Sequence, residues 1–510
     1  MEQAYTKASD QILFRSFVLT EKNRFCLKIL GLMLLQFIVF KLLYPFPDLF
    51  SDSYSYISAA DSHLDVNIWP IGYSRFLAVF HWFTYSATAL VAFQYLVFAF
   101  AGLYFYLTIS YFYPTGTATR TLLSIFLFFN PLFLYLSNYV TSDMLFVSLS
   151  IIWLTQMIWV LNRPRLYQVI LQAALLFIMF TFRYNAMVYP IIAIGVFLLS
   201  KQRAWVKALG IVSGPVLIIP FILWSSHAAK EMTGTAQFPP ILGGWQWGNN
   251  ALYIRPYIEE DSTAFPTAEM AELDRIARHY FAKASRPQDR LADHVGNYFI
   301  QVWDAPLKVY MGRHYKAKTE YEDIAAWGKS AVIFDQYGKF IVRRHPLAFV
   351  RYFMLMNSRN YFMPPLEKLQ VYNMGESDMG STGQKWFHYQ NPDMWCISPT
   401  VQATVLAVFP FFFLLLNIYY AIGLFLFLRR GGFRKAPRTV QFTFGIITAF
   451  LALNAGFSIF ANIIALRYQI FPMLVFLAFG MLQMDLVEVF TADAKKSAAS
   501  KPQQRLSINA

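Results

Sequence analysis

Two aspartates of one short loop are the first residues suited to acid–base chemistry. Asp48 and Asp52 follow the first apolar stretch of the chain, and Tyr54 and Tyr56 come directly after them. If residues 51–60 are helical, the spacing of four places Asp48, Asp52 and Tyr56 on one face. Partial burial beside tyrosines raises the pKa of a carboxyl group and makes it a better general base. We expect Asp52 to be that base, with Asp48 as the alternative.

Three further charged residues lie at the ends of apolar stretches. They are Asp143, Arg183 and Arg467, and Tyr184 and Tyr468 follow the two arginines. Ionisable groups near hydrocarbon are costly and usually face a cavity or a partner. A guanidinium offers paired donors that match a phosphate, so we expect the arginines and their tyrosines to bind a lipid phosphate. Asp143 either orients an arginine or holds a divalent cation with the loop aspartate; the metal ligands stay open.

The middle of the chain adds weaker candidates. Trp245 and Trp247 lie beside Asn249 and Asn250, a combination suited to stacking on sugars and binding hydroxyls, although membrane-interface belts are also rich in tryptophan. Tyr54 and Tyr56 are expected to contact the sugar or the acceptor as well. Arg343 is a further candidate for the lipid phosphate.

Several common catalytic motifs are missing from the sequence. It contains no Walker loop, no G-x-S-x-G, no H-E-x-x-H and no glycine-rich dinucleotide fingerprint. ATP-driven pumping, serine hydrolysis and a dedicated zinc site therefore have no support in the sequence.

The elements that carry these residues are apolar helices. Of the 510 residues, 57% are hydrophobic and only 14% charged, against about a quarter charged in soluble proteins. A helix needs about 20 mostly apolar residues to cross a bilayer. Ten stretches qualify, at about 25–43, 86–112, 120–137, 143–161, 166–182, 185–200, 204–226, 400–428, 438–464 and 468–490.

The distribution of lysine and arginine predicts the orientation. With both termini in the cytoplasm, the inner loops carry nearly all of the formal net charge of +14, as the positive-inside rule requires. The charge is therefore a topology signal, and nucleic acid is not an expected partner. No Asn-x-Ser/Thr sequon occurs, which favours a bacterial inner membrane over a eukaryotic lumen.

These patterns predict an all-α polytopic membrane domain of about ten transmembrane helices with a mixed or mainly α extracytoplasmic domain. Residues 1–226 form an N-terminal membrane module whose first outer loop is 44–85. Residues 227–399 form a periplasmic domain, 400–490 the C-terminal membrane helices, and 491–510 a disordered cytoplasmic tail.

Short motifs in the membrane region resemble the GT-C class of integral-membrane glycosyltransferases. The resemblance is to the branch containing protein O-mannosyltransferases and lipid A aminoarabinose transferases. It rests on Ser-Asp-Ser-Tyr-Ser-Tyr-Ile (51–57), Trp-Pro-Ile-Gly-Tyr-Ser (69–74), Ser-Asp-Met-Leu-Phe (142–146), Phe-Arg-Tyr-Asn (182–185) and Arg467-Tyr468 with Pro472 shortly after. The first loop lacks the Asp-Glu dipeptide of some members, so the choice between its two aspartates stays open.

The resemblance implies an inverting transfer of a sugar from a polyprenyl-phosphate donor to a glycan, lipid or protein acceptor at the outer face of the membrane. An aspartate would act as base, and Arg183 and Arg467 would stabilise the leaving phosphate. Membrane lipid would surround the apolar groove for the prenyl tail.

Two other functions compete with this one. A periplasmic-face polysaccharide polymerase or ligase would use outer arginines and have little need for Asp52. A secondary transporter or flippase would show internal repeats and charges at mid-membrane depth. The unusual charges here lie at the outer ends of the predicted spans instead.

Overall fold

A computed structural model describes residues 13–283, 297–461 and 464–499, and these residues are helical apart from turns, connections and two isolated β-bridges. Up to residue 233 the helices are α1 (Phe14–Val18), α2 (Glu21–Leu43), α3 (Ser51–Asp61), α4 (Gly72–His81), α5 (Ala87–Phe112), α6 (Thr117–Phe128), α7 (Pro131–Asn138), α8 (Asp143–Asn162), α9 (Tyr167–Phe182), α10 (Tyr189–Leu199) and α11 (Ala204–Thr233). The rest are α12 (Leu242–Ile254), α13 (Ala268–Ala282), α14 (Tyr298–Gln301), α15 (Pro306–His314), α16 (Glu320–Arg344), α17 (Pro346–Phe349), α18 (Leu355–Phe362), α19 (Gly380–Trp386), α20 (Val401–Leu406), α21 (Val408–Arg429), α22 (Gly432–Lys435), α23 (Arg438–Ala461) and α24 (Leu466–Ala499).

Within the part of the chain that the structure describes, seven helical stretches are long and apolar enough to cross a membrane, which indicates a membrane protein. They are Ala87–Phe112, Thr117–Asn138, Asp143–Asn162, Ala204–Thr233, Val401–Arg429, Arg438–Ala461 and Leu466–Ala492. Tyr167–Phe182 and Tyr184–Leu199 are apolar but shorter. The expected spans at 166–182, 185–200 and 25–43 therefore stay predictions, and so does the total of ten.

Local sequence explains where these helices break. At the junction of α6 and α7, the Asn130 side chain accepts a hydrogen bond from the Leu132 amide over 3.0 Å, and Pro131 takes the first helical position. At its far end, α11 stops at Gly234, whose φ of 83° lies in the left-handed region that glycine tolerates. The first break lies inside the apolar stretch Thr117–Asn138, and the second ends the stretch Ala204–Thr233.

Among the described residues, the buried apolar side chains form two cores. The first joins the membrane helices to residues 361–394. The second joins residues 59–71 of the first loop to residues 228–353. The segment 227–399 therefore contributes to both cores, and its later part packs on the helices that carry the arginines.

Three element boundaries differ from the sequence prediction. Helix α3 begins at Ser51, so Asp48 precedes it and does not share a helix face with Asp52 and Tyr56. Helix α11 runs through position 226 without a break. Helix α24 continues to Ala499, so residues 491–499 are helical rather than disordered, because alanine and lysine extend an existing helix at little cost; 500–510 lie outside the described residues.

Candidate functional site

Six charged side chains from distant parts of the sequence meet where α3, α8 and α24 begin. Three are carboxylates and three are cations, so their formal charges cancel. This charged cluster consists of Asp52, Asp143, Glu367, Arg183, Arg467 and Lys368.

Arg467 lies at the centre of the charged cluster and is only 4% exposed. Its Nη1 donates to Asp52 Oδ2 over 2.8 Å and to Asp143 Oδ2 over 3.4 Å. Its Nε lies 3.6 Å from Glu367 Oε2, and neither of these two atoms has a hydrogen-bond partner among the described residues. Arg467 is the second residue of α24, so the start of this helix fixes where the guanidinium lies.

The Arg183 side chain forms the second half of the charged cluster. Its Nη1 donates to Asp143 Oδ1, and its guanidinium lies 4.2 Å from the centre of the Tyr468 ring. Asp143 also accepts a hydrogen bond from the Thr141 hydroxyl over 3.0 Å. As the first residue of α8, Asp143 is at the helix end where a carboxylate is favourable. Asp143 therefore orients both arginines, one of the two roles that the sequence left open.

Lys368 pairs with the second carboxylate oxygen of Asp52, Oδ1. Its Nζ lies 3.2 Å from Asp52 Oδ1 and donates to the Ser51 hydroxyl. Burial raises the pKa of Asp52, but the charges of Lys368 and Arg467 outweigh burial and lower the pKa below its ordinary value. This corrects the sequence-based expectation of a raised pKa, which took only burial beside the tyrosines into account.

Two cavities flank the charged cluster and share Trp69 and Leu242 in their walls. The apolar cavity has a volume of about 230 Å³, and Arg183 and Tyr468 lie in its wall. Its other lining residues include Tyr56, Tyr184, Met187, Trp247, Phe457 and Phe460.

The polar cavity is larger, with a volume of about 780 Å³. Asp52, Arg467 and Lys368 lie in its wall together with Tyr54. The charged cluster therefore has one guanidinium facing the apolar cavity and the loop carboxylate facing the polar one. This arrangement can bring an apolar, anionic molecule and a polar molecule to the two sides of one ion-pair network.

A divalent cation does not fit between the two aspartates expected to hold it. Asp52 and Asp143 accept hydrogen bonds from the same Arg467 nitrogen, so a guanidinium already fills the position between them. Within 13–283, 297–461 and 464–499, no group of three or more His, Cys, Asp or Glu side chains is arranged to hold a metal ion.

Asp48 lies outside the charged cluster. It is 1% exposed, its Oδ1 accepts from the Asn373 amide over 2.9 Å, and its Oδ2 accepts from Gln402 Nε2 over 3.4 Å. Burial raises the pKa of Asp48 to about 7. Asp48 lines neither cavity, so the structure favours Asp52 among the two loop aspartates.

Two other expected site residues also lie elsewhere. Trp245 is fully buried in the second core, where its ring packs against Trp327 with ring centres 4.0 Å apart, so it cannot stack on a sugar. The Trp-Gln-Trp spacing puts Trp245 and Trp247 on different sides of α12, and only Trp247 reaches a cavity. Arg343 is exposed at the end of α16 and lines neither cavity.

The remaining tyrosines lie at the cavities. Tyr56 is buried and hydrogen-bonded to the Ser142 hydroxyl over 3.1 Å. Tyr54 donates to the Met379 carbonyl over 3.1 Å and faces the polar cavity. Tyr184 lines the apolar cavity beside Arg183.

Glu367 and Lys368 were not among the predicted site residues. They follow Pro364-Pro365, and the Pro365 carbonyl accepts a hydrogen bond from the Leu466 amide over 2.8 Å, next to Arg467. An adjacent acid and base after a double proline was a visible signal, but nothing in the sequence connected it to α24.

No protein-family model matches the chain, and no curated protein or solved structure is significantly similar to it. Its function must therefore be argued from the geometry of the charged cluster and the two cavities.

Proposed function

We propose that this protein is a glycosyltransferase of the GT-C type that moves a sugar from a polyprenyl-phosphate donor to an acceptor hydroxyl. One observation carries the proposal: Asp52 and Arg183 face different cavities and are joined through Arg467 and Asp143. The donor occupies the apolar cavity and the acceptor the polar cavity.

The arginines act on the donor phosphate. When the bond between the sugar C1 and the phosphate oxygen breaks, its electron pair stays on that oxygen and negative charge grows there. Arg183, which faces the apolar cavity, and Arg467 stabilise this charge in a site that excludes most water. The Tyr468 ring keeps both guanidiniums in place, at 4.2 Å and 4.7 Å from its centre.

Asp52 acts on the acceptor. The acceptor oxygen bonds to C1 from the side opposite the phosphate, and its proton passes to the Asp52 carboxylate, so the configuration at C1 inverts. The lowered pKa keeps the Asp52 carboxylate ionised at neutral pH, so it carries no proton before the reaction. Lys368 donates a hydrogen bond to Asp52 Oδ1, and Arg467 donates one to Asp52 Oδ2. Each oxygen therefore keeps a lone pair for the acceptor hydroxyl.

The orientation in the membrane belongs to the same proposal. Ten spans place both termini in the cytoplasm and place the charged cluster and residues 227–399 outside a bacterial inner membrane. The excess of basic residues in the proposed inner loops supports it. Cytoplasmic and periplasmic reporters fused after residue 510 test it: only a cytoplasmic reporter should be active.

The activity is tested by giving the purified protein a panel of polyprenyl-phosphate sugars and measuring acceptor-dependent release of polyprenyl phosphate. Asp52→Asn should abolish release, and Arg183→Gln should weaken donor binding. Asp65→Asn and Arg343→Gln are the matched controls, since both residues are exposed and lie outside the cavities. Full activity of Asp52→Asn would contradict the proposal and favour an arginine-based polymerase acting on diphosphate-linked glycans.

A further inference from the structure

The wall of the polar cavity carries an excess of positive charge. Four cations, Arg467, Lys368, Lys308 and Lys318, lie in it against two carboxylates, Asp52 and Asp323. Lys368 and Arg467 are paired with Asp52 inside the charged cluster. The remaining excess therefore lies away from the proposed base, around Lys308 and Lys318.

Lys308 is a buried cation without a hydrogen-bonded partner in the described chain. It is 8% exposed, and its Nζ lies 3.6 Å from the centre of the Trp327 ring. Trp303 and Trp245 flank it with ring centres at 5.0 Å and 5.2 Å. Aromatic rings attract a cation but do not neutralise it, so the charge stays available to an anion in the cavity.

Two features keep this position suited to an anion. Burial lowers the pKa of Lys308 to about 8, so the ammonium form predominates at neutral pH. Lys308 is also the third residue of the nine-residue helix α15, where free backbone amides and the helix dipole favour negative charge. A protonated lysine at the positive end of a helix needs negative charge nearby. Asp323 in the same cavity wall supplies part of it and acts against the lowering of the Lys308 pKa, and an anion in the cavity would add to it.

We propose that the acceptor of this transferase is a sugar carrying a phosphate or carboxylate group, whose anion binds Lys308 while one of its hydroxyls reaches Asp52. This inference rests on the proposed function and specifies the acceptor of the same site. The anionic group takes no part in bond making; only the hydroxyl proton is lost, to Asp52.

The rest of the cavity wall favours a sugar over an acidic peptide. Tyr54, Trp69 and Trp303 offer aromatic faces for stacking. The amide nitrogens of Asn297 and Gln301 donate to Glu367, and their amide oxygens are the groups that can accept from hydroxyls. The volume of about 780 Å³ is in the range of small-molecule sites and holds a short glycan.

Calorimetric titration of the purified protein tests the inference without a donor. The probes are glucose 6-phosphate, glucuronate, inorganic phosphate, glucose and an acidic hexapeptide. At least one of the two anionic sugars should bind saturably and more tightly than both glucose and inorganic phosphate.

Lys308→Gln should weaken that binding by about tenfold or more. Lys308→Arg should retain most of it. Lys339→Gln is the matched control, because Lys339 pairs with Asp335 on α16 and lines neither cavity.

Each other outcome has a defined meaning. Equal binding of glucose and both anionic sugars, no effect of Lys308→Gln in a folded variant, or binding of the peptide alone would overturn the inference. Lys308-dependent binding of an anionic sugar without any transfer from polyprenyl-phosphate donors would contradict the proposed function and leave the anion site standing. Transfer to neutral sugars that Lys308→Gln does not change would overturn the acceptor assignment alone.

Discussion

Arg467 donates a hydrogen bond to Asp52 over 2.8 Å although 415 positions separate the two residues in the sequence. This bond joins the start of the last helix to the first loop. Both side chains are buried, and Arg467 also compensates Asp143 and Glu367. The same guanidinium therefore stabilises the fold and, in the proposed reaction, the leaving phosphate.

Replacing Arg467 by glutamine should destabilise the protein strongly. The change leaves three buried carboxylates facing two cations, and breaking a buried ion pair from one side costs about 3–5 kcal/mol. The measurement is reversible unfolding in mixed detergent micelles. Arg343→Gln removes an exposed arginine and should change the free energy of unfolding by less than about 0.5 kcal/mol. Equal stability of the two variants would show that Arg467 is not compensating buried charge.

The sequence predicted the apolar helices and four of the six residues of the charged cluster. Asp143, Arg183 and Arg467 were recognisable because each lies at the end of an apolar stretch, where a charge is costly. Asp52 was recognisable because it clusters with tyrosines in the first loop. Glu367 and Lys368 were not, because they lie in a polar segment where charge is ordinary. Their role depends on the hydrogen bond between Pro365 and Leu466, a tertiary contact.

Asp48 and Trp245 show a second limit of sequence reasoning. Both are of the right residue type at a plausible spacing, but each is buried among its own partners. The boundary of α3 at Ser51 removed Asp48 from the helix face, and the packing of Trp327 covered Trp245. Composition does not give the position of a helix boundary to within a few residues, and it does not identify a packing partner far away in the sequence.

The activity should persist to unusually low pH. Lys368 and Arg467 lower the pKa of Asp52, so its carboxylate stays ionised below the ordinary aspartate value of about 3.9. Protonation of Asp52 should therefore not reduce the rate of transfer at about pH 3.9 or above. Any acid limb that belongs to Asp52 should have its midpoint below this pH. Lys368→Met removes one of the two cations and should move the acid limb to higher pH, with a change in kcat larger than that in KM.

A matched substitution checks that assignment. Lys339→Met removes a lysine whose partner is Asp335 and should leave the pH profile unchanged. An acid limb near pH 6 in the native protein, insensitive to Lys368→Met, would exclude Asp52 as the base.

Glu367→Gln should tighten binding of the anionic product. The charged cluster has three acids and three bases, so loss of one acid gives it an excess positive charge beside the apolar cavity. We expect polyprenyl phosphate to inhibit this variant at least about tenfold more strongly, since a charged hydrogen bond contributes about 1.5–3 kcal/mol. Inhibition constants measure the effect, and Glu376→Gln, at an exposed position, is the control. Weaker inhibition would mean that Glu367 positions Arg467 rather than neutralising it.

Asp48 should make the stability of the protein depend on pH. Burial raises its pKa to about 7, so the folded state holds the proton more tightly than the unfolded chain, whose pKa is about 3.9. The stabilising contribution of the protonated form is complete below pH 4 and is lost as the pH rises through 7. Asp48→Asn keeps an oxygen for the Asn373 amide but cannot ionise, so its melting temperature should fall less between pH 5 and pH 8 than that of the native protein.

Asp65→Asn, at an exposed position, should keep the native pH dependence. If Asp48→Asn and Asp65→Asn lose the same amount of stability over this interval, the Asp48 carboxyl is ionised throughout and its burial is compensated by the hydrogen bonds from Asn373 and Gln402.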